Sequence, residues 1–172
     1  MTLGSMVISI LTNTYSFVYK WGYIGIFITS LLGAASLFIF PLPTSTLPFV
    51  FGGVLNPFLV GIFAACGATI GEVTSYIMGL GSKELLEKKY SKKLEKVRET
   101  FERYGSFYWI IITVLTPLPT DVAGIFCGMI KYDLRKFLLG VFIGKLILSL
   151  TLAYAGHYSV TWVLDFFGIQ LL

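Results

Sequence analysis

Along most of the chain the apolar positions fall into long uncharged runs, and what interrupts them carries the pattern. Residues 3–18 place Leu3, Val7, Ile10, Leu11, Thr14 and Val18 on one helical face, with Ser5, Ser9, Thr12, Asn13 and Ser16 mostly opposite. That spacing predicts an amphipathic helix in the membrane interface, over 1–20. Gly22 to Phe40 runs 19 residues without a charge, close to the roughly 20 that cross a bilayer. The runs 58–80 and 134–156 predict two further spans. In the first of these, Gly61, Ala64, Ala65, Ala68 and Gly71 allow close helix approach. Between them, 82–104 changes character: Leu86, Tyr90, Leu94, Val97, Phe101 and Tyr104 form a narrow stripe among eight basic and five acidic residues. This predicts a basic amphipathic helix on the cytoplasmic side, either a solvated connector or a surface for lipid head groups. The tail, 157–172, is too short to predict another span.

Two interruptions are copies of one phrase. Phe40-Pro41-Leu42-Pro43-Thr44 returns as Thr116-Pro117-Leu118-Pro119-Thr120, 76 positions later, and the same interval relates Gly52 to Gly128. Two prolines in three residues remove backbone donors and clash with the preceding turn, so Pro41, Pro43, Pro117 and Pro119 are structural breaks. Within lipid such breaks survive only where protein or a water-filled cavity satisfies the freed backbone. The arm 107–116 reaches about 15 Å as a helix, half of the roughly 30 Å of hydrocarbon. Residues 107–130 therefore read as a re-entrant hairpin opening to the cytoplasm.

The span 58–80 descends to the basic helix and 134–156 rises from that side. The expected fold is all-α and membrane-integral. Two proline-broken hairpins form an inverted repeat with transmembrane helices in one domain: 22–80 is the first repeat and 106–156 the second. Segment 22–40 either crosses fully, with the N-terminus inside, or forms the long arm of a hairpin with the N-terminus outside.

Composition agrees. Of 172 residues, 56% are hydrophobic and 13% charged, where soluble domains average about 25% charged; mean hydropathy is +0.82. Eight of the 13 Lys and Arg lie between Lys83 and Arg103, on one surface segment without a nucleic-acid motif, so nucleic acid is not an expected partner. Cys66 and Cys127 lack metal-ligand spacing and read as small core residues. No positive charge precedes Lys20, so a cleaved signal peptide is not expected.

Ionisable groups inside the apolar runs are the candidate chemistry. A charge at mid-bilayer costs about 2.5–3.5 kcal/mol on the gentlest scale and generally faces a cavity or partner. Glu72, Asp121 and Lys145 qualify. Helices restarting at Thr44-Ser45 and Thr120-Asp121 aim orphan N–H donors into the membrane, which suits an anion, phosphate above all. Thr44, Ser45, Thr120 and Lys145 are thus candidate substrate-binding residues, and Glu72 and Asp121 candidates for proton or ion coupling. Structural alternatives stand beside these: Asp121 as its own helix's cap, Glu72 and Lys145 as a register-setting ion pair, Lys145 as a snorkelling side chain. No nucleophile–base set, phosphate loop or metal cluster is present, so neither enzyme activity, a cofactor nor a metal is expected.

The stretches GATIGEVTSYIMGLG at 67–81 and TPLPTDVAGIFCGMIKYDLRKFLLGVFIGKLILSLTLAYAG at 116–156 resemble the DedA-like membrane proteins, also called the VTT-domain or SNARE-associated family, and its short archaeal-type branch in particular. The resemblance covers roughly 22–156. It implies facing re-entrant hairpins and lipid translocation: flipping of polyprenyl-phosphate carriers in bacterial members, phospholipid scrambling in eukaryotic relatives. Many bacterial members bracket the second break with an Arg pair; Thr116 and Val122 stand there instead. The expectation is a plasma-membrane transporter for a phosphate-bearing lipid, with anionic head groups as partners and homo-oligomerisation left open. A small ion or solute channel on the same hairpins, or a non-transporting assembly factor, are the alternatives.

Overall fold

A computed structural model of the chain describes residues 3–36, 46–82, 99, 106–115 and 120–166. Both proline breaks, with Pro41, Pro43, Thr44, Ser45, Pro117 and Pro119, lie outside these residues, as does all of the basic stripe except position 99. The described residues are helical, without a strand: α1 (Leu3–Ala35), α2 (Thr46–Gly52), α3 (Pro57–Gly71), α4 (Ser106–Leu115), α5 (Thr120–Met129) and α6 (Leu134–Phe166). Beyond a turn at Glu72, α3 continues through 73–82. Among the described residues, three stretches are long and apolar enough to cross a membrane: Ser16–Ala35, Pro57–Ser82 and Leu134–Val160.

Local chemistry sets the boundaries. Asn56 caps α3, its Oδ1 accepting from Phe58 N at 3.0 Å and Leu59 N at 3.4 Å, with Pro57 at the first helical position where no N–H is needed. Asp133 does the same for α6, accepting from Arg135 N at 2.8 Å and Lys136 N at 3.0 Å. Helix α5 ends where Tyr132 N bonds Cys127 O at 2.9 Å and Lys131 N bonds Gly128 O at 3.0 Å. Lys131 takes the left-handed conformation this closure requires, at φ 51°.

Within α1 the helix kinks at Gly22, which adopts φ 56°, ψ −129°, between the predicted interfacial helix and the first apolar run. One boundary differs from the sequence reading. The last span runs on through its predicted end at 156 to Phe166, because no proline or glycine stands between His157 and Phe166.

Within α1, the segment from Tyr23 runs parallel to α3. Tyr23 accepts from Asn56 N at 3.3 Å and its ring lies 5.7 Å from that of Phe63. Further along, Gly67 meets Phe27 and Gly71 meets Leu31. Helix α4 likewise runs parallel to α6, with Gly140 against Ile110 and Gly144 against Val114. The long helices α3 and α6 are antiparallel: Gly61 touches Leu150 at one end, and the rings of Tyr76 and Phe137 sit 5.5 Å apart at the other.

The short helices dock reciprocally. A Cβ on Gly52 would overlap the carbonyl of Ala153, and one on Gly156 that of Phe49; likewise Gly128 would overlap the carbonyl of Tyr76, and Gly79 that of Ile125. Phe49 and Gly52 precede Ile125 and Gly128 by 76 positions, while Tyr76 and Gly79 precede Ala153 and Gly156 by 77. The extra residue lies in the turn before α6, which holds Lys131. Each short arm therefore seats on the long helix of the other half.

Two apolar cores result. Val18, Ile26, Leu47, Phe51, Val60, Ala64 and Ala153 form one; Tyr76, Ile110, Val114, Cys127, Ile130, Tyr132, Phe137 and Val141 form the other. Along α3 and its continuation Glu72 falls between the members of the two cores, and along α6 Lys145 does.

Candidate functional site

Glu72 occupies a distorted turn. Its N–H still bonds Ala68 O at 3.1 Å and its carbonyl receives Tyr76 N at 3.2 Å, so the helix passes through. The Ser75 hydroxyl also donates to that carbonyl, at 2.7 Å; such back-bonding bends helices. The side chain is 1% exposed.

A carboxylate this deep needs every lone pair engaged. Thr120, opening α5, donates its hydroxyl to Oε1. Lys145 Nζ, from α6, stands 3.2 Å from the same oxygen and donates to Thr120 Oγ1 at 3.2 Å. Ser75 Oγ lies 3.2 Å from Oε2. Four side chains from three helices converge, and Thr120 is bonded to both charges. Ser75 has room only because residue 124 is glycine: a Cβ there would overlap its hydroxyl.

Asp121 is half-buried in the first turn of α5, where a negative charge complements the helix dipole. It lies within electrostatic reach of Glu72 and Lys145. The centre thus pairs two carboxylates with one ammonium. Of the predicted site residues, Glu72, Thr120, Asp121 and Lys145 come together; Thr44 and Ser45 lie outside the described residues. Ser75 was missed. Its signal was its position three residues after Glu72, on the same helical face.

Repeat arithmetic makes the centre one-sided. Stepping 77 positions from Glu72 reaches Ser149, and stepping back from Lys145 reaches Ala68. Both are buried, and neither carries charge.

Among the described residues, three apolar helices of spanning length, two of which join the short α5 in holding the charged centre, define an integral membrane protein. Comparison with known proteins gives the family. The VTT domain matches residues 42–158, and the chain belongs to that family. It is 27% identical over 135 residues to an uncharacterized protein of Methanocaldococcus jannaschii, covering 76% of this chain and 81% of that one. No solved structure matches.

Proposed function

We propose that this protein moves a phosphate-bearing lipid, a polyprenyl-phosphate carrier or a phospholipid, across the plasma membrane as a flippase or scramblase. The observation that carries the reading is the charged centre joining Glu72, Thr120 and Lys145 between two apolar cores. A structural ion pair alone gains little over apolar packing, whereas charge held at membrane depth suits a polar cargo. Lys145 and Thr120 would meet the phosphate, while Glu72 and Asp121 exchange protons or hold the cavity. The role is transport rather than catalysis.

An inverted repeat of re-entrant hairpins fits the packing. Tyr23 beside Asn56, with α1 parallel to α3, brings the start of the first hairpin to the same end as the start of α3. The N-terminal side is then the non-cytoplasmic one, while Lys131, Arg135 and Lys136 mark the cytoplasmic end. Exposed Tyr19 and Trp21 near the first end, and Tyr108 and Trp109 near the second, suit the two interfaces. Reciprocal seating of the short arms supports the repeat and would let one half rock against the other around the charged centre.

Vesicles carrying lipid and ion reporters together test this reading. Lipid crossing without ion flux is expected; ion flux without lipid crossing would replace the transporter by a channel.

A further inference from the structure

The centre is already full. Lys145, the cation nearest any entering phosphate, is engaged by Glu72 and Thr120, each at 3.2 Å, and Asp121 adds a second carboxylate within reach. A second acidic side chain beside the one ammonium disfavours a further anion there. A phosphate bearing a lipid tail cannot simply add to this arrangement. Something anionic must first leave Lys145.

We propose that the Glu72 carboxylate is an internal competitor for the anion site, occupying Lys145 and Thr120 in the resting protein and being displaced when the phosphate head group binds. This rests on the transport reading above and states how that site discriminates. The geometry supplies both requirements. The Lys145 side chain is 16% exposed against 1% for Glu72, so of the two charged partners the lysine is the less enclosed. Glu72 need not lose every partner when displaced, because Ser75 already lies 3.2 Å from Oε2, the oxygen that Lys145 and Thr120 do not hold. Ser75 keeps its place because Gly124 has no side chain to overlap its hydroxyl.

Thr120 makes the exchange a matter of one oxygen for another. Its hydroxyl donates to Glu72 Oε1 now and would donate to a phosphate oxygen in the loaded state, with Lys145 donating to both. No bond is made or broken beyond these hydrogen bonds. The site would select a tetrahedral anion over a neutral head group, because only an anion repays the loss of the Glu72–Lys145 contact. The equivalent place in the other half, Ser149 and Ala68, has no charge to exchange. The competition is therefore confined to the α5 side.

The test is equilibrium binding of dihexanoyl phosphatidic acid to the full chain in detergent, with dihexanoylglycerol and inorganic phosphate as parallel probes. Glu72→Gln should bind the phosphatidic acid about tenfold more tightly than wild type, removal of one close charge being worth roughly that factor. Glu72→Asp, which keeps the charge but withdraws it by one methylene, should fall between and decides the matter if Glu72→Gln fails to fold. Lys145→Met should abolish the gain in either background, and dihexanoylglycerol should show no change. Equal tightening for inorganic phosphate would uphold the competition and reassign the cargo from a lipid to a free anion. Unchanged or weaker binding in both Glu72 variants, with wild-type lipid transport intact, would overturn the competition alone. Absence of phosphatidic acid binding in every variant, together with absent lipid transport, would overturn the transport reading as well.

Discussion

Lys145 on α6 reaches Glu72 on α3 at 3.2 Å, and through Thr120 the same ammonium holds the first residue of α5. One half-buried cation thus joins two long helices and a short arm. Truncating either charge strands the other, at a typical cost of about 3–5 kcal/mol. Lys145→Met should lose stability on that scale in detergent unfolding, and Glu72→Gln/Lys145→Met should regain most of it. Losses that simply add in the double variant would show the two groups to be uncoupled.

Reciprocal docking of the short arms makes a paired prediction. Gly128→Ala and Gly156→Ala each drive a methyl into a facing carbonyl, of Tyr76 and Phe49. Each should cost about 1–3 kcal/mol, the usual scale of overpacking. Gly81→Ala, with no described residue within 4 Å of the added methyl, should stay within about 0.5 kcal/mol. Thermal unfolding of the three variants side by side measures this.

Gly22 isolates backbone strain from crowding. No described residue lies within 4 Å of a Cβ placed there, yet φ is +56°. Gly22→Ala should therefore lose about 1–3 kcal/mol from conformation alone. Protease sensitivity or unfolding temperature would register it. An unchanged protein would mean that the bend in α1 does not need this conformation.

The spans were legible because uncharged length is a direct requirement of hydrocarbon thickness, and Glu72 and Lys145 stood out as costly exceptions within them. Their meeting was not legible. Sequence spacing places a residue along its own helix but not around a neighbour. The repeat marked Gly52 and Gly128 as equivalent, yet that each seats on the other half's long helix follows from packing. Ser75 was hidden among many small residues, and only its contact with Glu72 distinguishes it.

Asp133 gives a pH dependence outside the membrane segments. Its carboxyl is held below the usual carboxylate range by the backbone N–H groups of Lys136 and Arg135, with the nearby positive charges of the same two residues adding to the effect. A depressed folded pKa means stability that is present above the unfolded value, about 3.9, and lost as pH falls through the lower folded value. Wild type should exceed Asp133→Ala in unfolding temperature at neutral pH. The carboxylate's share of that difference should shrink on acidification below the unfolded value. A difference that does not vary with pH would remove the carboxylate from the cap.

The most direct measurement is lipid transport in reconstituted vesicles by wild type, Lys145→Ala and Glu72→Gln, each first shown to be folded by circular dichroism and size-exclusion chromatography. Wild type should carry a fluorescent phosphatidic acid between leaflets, and both variants should be markedly slower. Transport at the wild-type rate in both folded variants would contradict the account, because the charged centre would then lie apart from the path of the lipid.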